Sequence, residues 1–289
     1  MHNNNESKIS IIIPAFNEEK GISEVLDNIT SLGGNFEIIV VDDGSSDNTA
    51  SIVEKYANIK LISHNHNSGY GTSLKTGIKH SKSDVIIIID ADGTYPYKQI
   101  PELVNAMKDG DYAMVVGART GGDVKIPLIR KPAKWFINQL ANYLSGIKIP
   151  DLNSGLRIMK KSVVDKYLNV LPDGFSFTTT ITLAMLTNGY QVKYIPVNYF
   201  KRAGKSKIKP VRDTLNFIQL IIRTVLYFNP LRVFIPLSFC MVILAFLLLI
   251  GSWLLTEKAM DVTFGVMLMT AVMLMAIGML ADLIDKRIQ

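Results

Sequence analysis

Cysteine is almost absent from this sequence, and its other absences narrow the function classes further. The one cysteine, Cys240, has no partner in the chain, so disulfides play no part in the fold. Four histidines are present, but their spacing does not match that of a metal site. The net charge is +6, yet no long basic run is interleaved with aromatic residues, so nucleic acid is not an expected partner. The positive charge instead suits an anionic membrane surface.

Charge is missing from two long stretches near the C-terminus. Residues 233–255 (23 residues) and 262–281 (20 residues) contain no charged side chain. Each stretch is long enough to cross a hydrocarbon core of about 30 Å as a helix. A pair of buried core helices is the alternative, but two uncharged runs of spanning length, joined by six residues, are rare in a soluble core. The pattern favours a transmembrane hairpin.

The residues that flank these stretches indicate how the hairpin is oriented. Arg232 precedes the first stretch, and Lys286 and Arg287 follow the second. The positive-inside rule therefore predicts that both chain ends are cytoplasmic and that the protein lies in the inner or plasma membrane. The polar N-terminal residues and the short apolar run after them do not predict a signal peptide.

Three segments are expected along the chain. Residues 1–209 are predicted to form a cytoplasmic domain, residues 210–230 an amphipathic helix in the membrane interface, and residues 231–289 the hairpin. An ordinary surface helix is the alternative for residues 210–230. Membrane lipids are expected partners of the last two segments, and a homo-oligomer could also bury their apolar surface.

Apolar segments alternate with segments of helical periodicity through the first 120 residues. The apolar segments show no polar alternation, which indicates an α/β domain with a mostly parallel sheet covered on both faces. The predicted strands are 10–14, 36–41, 59–63, 85–89 and 112–118, and the predicted helices are 18–31, 46–56, 71–81 and 100–108. Ligands bind such sheets at the carboxyl ends of the strands. Three polar pairs stand there: Asn17 and Glu18, Asp42 and Asp43, and Asp90 and Asp92.

The strand predicted at 85–89 runs directly into the sequence Asp-Ala-Asp. In an extended chain Asp90 and Asp92 lie on one face, about 7 Å apart at Cα. Two carboxylates at a sheet edge can hold Mg²⁺ or Mn²⁺, with water and substrate phosphates completing the coordination. The same residues, followed by Gly93 and Pro96, are also good turn chemistry, so the motif alone leaves both interpretations open.

Six motifs occur in an order that is typical of one enzyme family. They are PAFNEE (14–19), VVDDGSSDNT (40–49), NSGYGTSLKTG (67–77), DADGTYP (90–96), DLNSGLR (151–157) and KRAGKSK (201–207). Together they resemble the family 2 glycosyltransferases of the GT-A fold. The resemblance is closer to the polyprenyl-phosphate glycosyltransferases, the group of dolichol-phosphate mannose synthase and undecaprenyl-phosphate glucosyltransferase. It covers about residues 8–210, and the hairpin fits the same group.

The resemblance implies a binding site for a nucleotide-sugar donor and a divalent metal ion. The residues implied in nucleotide binding are Pro14, Ala15, Asn17, Glu18, Asp42, Asp43, Gly71, Lys75, Asp90 and Ala91. Asp90 and Asp92 would hold Mg²⁺ or Mn²⁺. Mannose synthases often have glutamine directly after the D-x-D motif, where this chain has Gly93.

The resemblance also implies a site for an acceptor phosphate. The residues implied in binding it are Arg119, Arg130, Lys131, Ser154, Arg202, Ser206 and Lys207. Arginine suits this task because its planar guanidinium meets phosphate oxygens bidentately. Asp151 would lie near the acceptor or the sugar. The implied catalytic residues are Asp92, Asp151, Arg119 and Arg202.

The implied activity is the inverting transfer of a hexose to a polyprenyl phosphate, dolichyl or undecaprenyl, from a donor of the GDP-mannose or UDP-glucose type. Two alternatives are weaker. A processive polysaccharide synthase would carry a Q-x-x-R-W motif, which is absent, and two spans alone cannot enclose a channel. A non-catalytic membrane scaffold with a decayed transferase fold is disfavoured by the intact Asp90, Asp92 and Asp151.

Overall fold

The structure is a computed structural model of the chain. It describes residues 9–121, 139, 141–143, 146–200, 219, 221–223, 225–227, 229–256 and 261–288. Most of the predicted interface segment 210–230 lies outside these residues. So do five predicted acceptor residues: Arg130, Lys131, Arg202, Ser206 and Lys207.

Strands and helices alternate through the N-terminal part of the chain. The elements are β1 (Ile9–Ala15), α1 (Ile22–Ser31), β2 (Phe36–Asp42), α2 (Thr49–Val53), β3 (Ile59–Ser63), α3 (Tyr70–His80), β4 (Val85–Ile88), α4 (Ile100–Asp109), β5 (Met114–Ala118), β6 (Arg157–Lys160), α5 (Lys161–Tyr167), α6 (Phe177–Thr187) and β7 (Val192–Pro196). The five strands predicted from apolar runs are confirmed. The pattern does not predict β6 and β7.

The seven described strands form one mixed sheet in the order β3-β2-β1-β4-β6-β5-β7. Strand β1 pairs in parallel with β2 and β4, and β2 pairs in parallel with β3. Strand β6 runs antiparallel between β4 and β5, and β7 adds in parallel to β5. The predicted α/β class with a mostly parallel sheet is therefore confirmed. Since β1, β2 and β4 point the same way, the polar residues that follow them meet at one edge.

Apolar side chains cover the sheet on both faces. Ile11 and Ile13 of β1 belong to one core layer and Ile12 to the other, because successive side chains of a strand point to opposite faces. The first layer takes buried side chains from α1, α2 and α4, and the second from α3, α5 and α6. Burial on both faces explains why residues 11–15 of β1 are a continuous apolar run in the sequence.

Two long apolar helices follow, α7 (Leu231–Thr256) and α8 (Asp261–Ile288). Only 11% of the most apolar stretch of each helix is buried, so most of this apolar surface is exposed in the described part of the chain. The hydroxyl of Ser238 donates a hydrogen bond to the carbonyl oxygen of Ala271 at 2.8 Å, and the rings of Phe246 and Phe264 lie 5.1 Å apart. Both helices are long and apolar enough to cross a membrane, as predicted.

Candidate active site

The loops after β1 and β2 are tied together at the carboxyl edge of the sheet. Asn17 has a positive φ of 55°, and its side-chain oxygen accepts a hydrogen bond from the backbone N–H of Ser46 at 2.8 Å. The backbone N–H of Glu18 donates to the hydroxyl of Thr49 at 2.9 Å. Asn17 and Glu18 thus shape the loops around the end of β2. Three other predicted nucleotide-site residues are buried at this edge: Pro14, Ala15 and Ala91.

Asp43 holds the loop that precedes α3. Its carboxylate accepts hydrogen bonds from the backbone N–H groups of Ser68 at 2.9 Å and Gly69 at 2.8 Å. Its Oδ1 also lies 2.7 Å from Nδ1 of His64. Both oxygens of this buried carboxylate therefore have partners within the protein.

Asp42, the residue before it, is equally buried but less fully bonded. Its Oδ2 accepts one hydrogen bond, from the backbone N–H of Ser45 at 3.3 Å. Its buried Oδ1 has no hydrogen-bond partner among the described residues. A buried polar atom without a partner is costly. Of the two neighbouring carboxylates, Asp42 is therefore the one with an oxygen left for a ligand.

The start of α3 packs against residues 172–173. The carbonyl oxygen of Asp173 accepts hydrogen bonds from the backbone N–H groups of Gly71 at 2.7 Å and Thr72 at 3.1 Å. Nζ of Lys75 lies 2.8 Å from Oδ1 of Asp173. A Cβ atom on Gly71 would lie 2.1 Å from the carbonyl oxygen of Pro172. The contacts that the structure gives Gly71 and Lys75, two predicted nucleotide-site residues, are with this loop.

Gly71→Ala is expected to destabilise the domain by about 1–3 kcal/mol, the usual range for overpacking. The added methyl group can fit only if the backbone of α3 or of residues 172–173 moves. Denaturant unfolding of the purified protein in detergent measures the effect. Gly174→Ala is the matched control, because a Cβ atom there meets nothing within 4 Å. Equal stability of the two variants would contradict this packing.

Asp90 and Asp92 follow β4 at the same edge. Oδ1 of Asp90 accepts a hydrogen bond from the hydroxyl of Tyr70 at 2.9 Å. Oδ1 of Asp92 accepts from the backbone N–H of Thr94 at 3.1 Å and from its hydroxyl at 2.6 Å. Desolvation of the Tyr70 hydroxyl, together with the charge of Asp90, raises the pKa of Tyr70 well above its usual value. Tyr70 is therefore a neutral donor that orients Asp90.

The two carboxylates fit a divalent metal ion that takes its other ligands from elsewhere. Both are half-buried, and carboxylate oxygens are the ligands that Mg²⁺ and Mn²⁺ prefer. In the described part of the chain, no third His, Cys, Asp or Glu joins them in a metal-binding group. Gly93 has a φ of 70°, which glutamine rarely adopts. The donor set therefore suits an ion that is completed by water and substrate phosphates.

Arg119 and Asp151 form a bidentate ion pair. Nε and Nη2 of Arg119 lie 2.7 and 2.9 Å from the two carboxylate oxygens, and the backbone N–H of Arg119 adds a third bond at 2.9 Å. The guanidinium lies 5.3 Å from the ring centroid of Tyr199. Burial would raise the pKa of Asp151, but the hydrogen bonds and charge of Arg119 lower it below its usual value. Asp151 is therefore ionised at neutral pH and is not a proton donor.

Ser154, a predicted acceptor residue, faces the protein interior. It is fully buried, and its hydroxyl donates to the carbonyl oxygen of Gly117 at 2.5 Å. This position does not support the predicted contact with an acceptor phosphate. Two residues of the region are not among the predicted site residues, although both lie in the motifs: Tyr70 in NSGYGTSLKTG and Arg157 at the end of DLNSGLR.

The chain is similar to known glycosyltransferases in sequence. A model of glycosyl transferase family 2 matches residues 10–168. A dolichyl-phosphate hexose transferase of Haloferax volcanii is 28% identical over 204 residues, which cover 70% of this chain and 87% of the relative. An undecaprenyl-phosphate 4-deoxy-4-formamido-L-arabinose transferase of Enterobacter sp. is 30% identical over 286 residues, which cover 94% of this chain and 84% of the relative.

The fold is similar to that of a solved enzyme, glucosyl-3-phosphoglycerate synthase from Mycobacterium tuberculosis. Its complex with UDP has a TM-score of 0.59 at 18% identity, over 76% of this chain and 80% of that one. Its complex with Mn²⁺, UDP-glucose and phosphoglyceric acid has a TM-score of 0.58 at 19% identity, with the same coverage. At this level of identity the likeness concerns the fold.

Proposed function

The chain belongs to glycosyl transferase family 2 and is a glycosyltransferase, and from this premise we propose that it transfers a sugar from a nucleoside-diphosphate sugar to a polyprenyl phosphate. Relatives named as dolichyl-phosphate and undecaprenyl-phosphate transferases support this acceptor. One observation carries the proposal: the half-buried Asp90 and Asp92 share a sheet edge with the Arg119–Asp151 pair, in a chain that also has two helices of membrane-spanning length.

The donor nucleotide would lie over the carboxyl ends of β1 and β2, bounded by Asn17, Glu18 and Asp42. The unpaired Oδ1 of Asp42 would accept a hydrogen bond from an N–H of the base or from a ribose hydroxyl. Asp43 would act indirectly, since its oxygens already bond the loop before α3. Residues 67–71 would thereby be kept close to the nucleotide.

Asp42→Asn is expected to weaken the binding of UDP or GDP about tenfold, because the amide is a poorer hydrogen-bond acceptor than the carboxylate. Isothermal titration calorimetry in detergent measures the effect with both nucleotides. Asp43→Asn is the matched comparison, and its main effect should be lower stability, because two backbone N–H groups lose a charged acceptor. Weaker nucleotide binding in Asp43→Asn than in Asp42→Asn would reverse these assignments.

Asp90 and Asp92 would hold Mg²⁺ or Mn²⁺ at the donor diphosphate, and the ion would neutralise the charge that develops on the leaving group. Tyr70 holds Asp90 and Thr94 holds Asp92, so the carboxylates are oriented before substrate arrives. The chain itself offers no third carboxylate or imidazole ligand in its described residues. Tight metal binding would therefore require the diphosphate, which couples metal binding to donor binding.

The acceptor is already an anion at neutral pH, so its attack needs no strong general base. A phosphate oxygen would form a bond to the anomeric carbon while the bond from that carbon to the diphosphate breaks. In-line displacement inverts the anomeric centre, so an α-linked donor gives a β-linked lipid-phosphate sugar. The protein must bring two anions together, which assigns cations the main role.

Arg119 would contribute to acceptor binding through the part of its guanidinium that Asp151 does not bond. The ionised Asp151 holds Nε and Nη2 and leaves Nη1 outside the pair. The Arg119–Asp151 pair is close to neutral overall, so binding the acceptor phosphate needs further cations. We assign this role to Arg130, Lys131, Arg202 and Lys207, with Ser206 beside them. The hairpin and residues 210–230 would hold this site at the cytoplasmic face of the membrane.

Release of nucleoside diphosphate tests the proposal. The protein in detergent is given Mn²⁺, a panel of UDP- and GDP-sugars, and either a short polyprenyl phosphate or the matching polyprenol without phosphate. Release that depends on the phosphorylated lipid is the expected result, and it identifies the donor. Equal release with the alcohol, or none with any donor, would contradict the proposed acceptor.

A further inference from the structure

Arg157 is a buried cation beneath the candidate site. Its side chain is fully buried. Its Nε donates to the carbonyl oxygen of Ser154 at 2.7 Å, and its Nη2 donates to that of Leu152 at 2.8 Å. Its Nη1 donates to the hydroxyl of Thr182 at 2.5 Å and lies 3.6 Å from Sδ of Met114. The hydrogen bonds that the structure describes for this charge therefore go to neutral groups.

A buried charge bonded only by neutral groups is unusual. Burial lowers the pKa of Arg157, and the nearby Asp151 opposes that shift without contacting the guanidinium. Arginine nevertheless remains charged in proteins. Burying an ion is costly, and apolar side chains of similar volume often replace buried ionic groups without loss of stability. Packing alone therefore does not explain an arginine here.

The backbone that Arg157 holds connects the two halves of the site. Segment 151–155 begins at Asp151, which is paired with Arg119. It ends at Gly155, where a Cβ atom would lie 2.2 Å from Oδ2 of Asp90. The Asp90 carboxylate thus rests directly on the backbone of Gly155. A shift of this segment would move the Arg119–Asp151 pair and the surface that supports Asp90 together.

We propose that Arg157 is a positioning residue for sugar transfer, which sets the spacing between Asp90 and the Arg119–Asp151 pair through the carbonyl groups of Leu152 and Ser154. The inference rests on the proposed function, because that function assigns Asp90 to the donor and Arg119 to the acceptor. A planar guanidinium can bond two carbonyl groups at fixed angles, whereas an ammonium is a single point of charge. The planar, two-donor geometry of the guanidinium is therefore the property that positions segment 151–155.

Arg157→Lys keeps the positive charge but loses the planar guanidinium that bonds two carbonyl groups at once. We expect kcat to fall about 100-fold, the effect of misplacing a reacting group by roughly 1 Å, while KM for the donor changes little. Ile158→Ala is the control for lost stability, because Ile158 is fully buried but lies in the opposite core layer. It should lower the unfolding temperature and leave kcat of the folded protein unchanged. Both variants are assayed well below their unfolding temperatures.

Nucleotide binding gives a readout that does not depend on turnover. UDP and GDP are titrated by calorimetry, once with Mn²⁺ and once with EDTA. In EDTA, Arg157→Lys should bind UDP and GDP with the same affinity as the wild type. With Mn²⁺, it should lose most of the increase in nucleotide affinity that the metal gives the wild type, because Asp90 is displaced. Gly155→Ala should lose the same gain, since its methyl group would push on the Asp90 carboxylate.

Three outcomes are decisive. A kcat for Arg157→Lys equal to that of Ile158→Ala, with the full Mn²⁺ gain retained, would assign Arg157 a structural role only and overturn the inference. If Arg157→Lys does not fold, Thr182→Val and Gly155→Ala take its place in the test. A wild-type kcat in both variants, together with the full increase in nucleotide affinity from Mn²⁺, would overturn the inference. If the wild type transfers no sugar to polyprenyl phosphate, the proposed function fails, whereas the calorimetric comparison still tests the position of Asp90.

Discussion

Replacing Asp92 with asparagine is expected to lower the rate of sugar transfer by about 10³-fold, equivalent to ~4 kcal/mol of transition-state stabilisation. The amide has nearly the size of the carboxylate and can keep the hydrogen bonds from Thr94, so the fold should not change. It lacks the negative charge that a divalent ion requires from a pair of carboxylates. Initial rates at saturating donor, acceptor and Mn²⁺ measure the loss.

The control for this variant is Asp84→Asn. Asp84 is an exposed carboxylate that precedes β4, at the opposite edge of the sheet from Asp92. Its replacement should leave the rate unchanged. An Asp92→Asn enzyme that keeps more than a tenth of the wild-type rate would contradict the assignment of this carboxylate to the metal.

Asp151→Asn is expected to lower both stability and activity, because it leaves the guanidinium of Arg119 without its charged partner. Breaking a buried ion pair from one side costs about 3–5 kcal/mol, and the partial exposure of Arg119 places the expected loss at the lower end of this range, ~3 kcal/mol. Denaturant unfolding measures it. Asp111→Asn removes the exposed partner of Lys160 and is the control, with no measurable change expected. Similar effects of the two replacements would mean that burial does not strengthen the Arg119 pair.

The same pair predicts how stability depends on pH. Arg119 holds the pKa of Asp151 below its usual value despite burial, so the folded state binds this proton less readily than the unfolded state. The stabilisation is therefore fully present above the unfolded pKa of about 3.9 and is lost as pH falls through the lower folded pKa. The stability difference between wild type and Asp151→Asn should shrink below about pH 4. A difference that is constant down to pH 3 would contradict this linkage.

The sequence predicts those strands of the sheet that have a clear local hydrophobic pattern. Strands β1, β2 and β4 each contain an uninterrupted run of isoleucine or valine, and the acidic residues after these runs mark the carboxyl edge of the sheet. Strand β6 escapes prediction because it is only four residues long and contains both Arg157 and Lys160. Its place between β4 and β5 depends on antiparallel pairing with β4, about 70 residues away, which no local pattern encodes.

In the candidate site, too, local motifs predict the residue types, whereas contacts between distant parts of the chain determine how these residues are bonded. The motifs identify the residue types, but the sequence does not show which of Asp42 and Asp43 has a carboxylate oxygen without a hydrogen-bond partner. That difference arises because the backbone N–H groups of residues 68 and 69 bond Asp43. Nor does it join Arg119 to Asp151, which lie 32 residues apart in the chain. Gly71 is conspicuous in its motif, yet the contact that excludes a side chain there comes from Pro172.

Sugar transfer to a lipid phosphate is tested most directly by whether labelled sugar moves into the lipid. Vesicles that contain the protein and a polyprenyl phosphate are given Mn²⁺ and a radiolabelled nucleotide sugar, and the label is counted in the organic phase after extraction. The expected result is label in that phase from one donor with the wild type and almost none with Asp92→Asn. Label that stays in the aqueous phase with every UDP- and GDP-sugar would contradict transfer to a lipid phosphate.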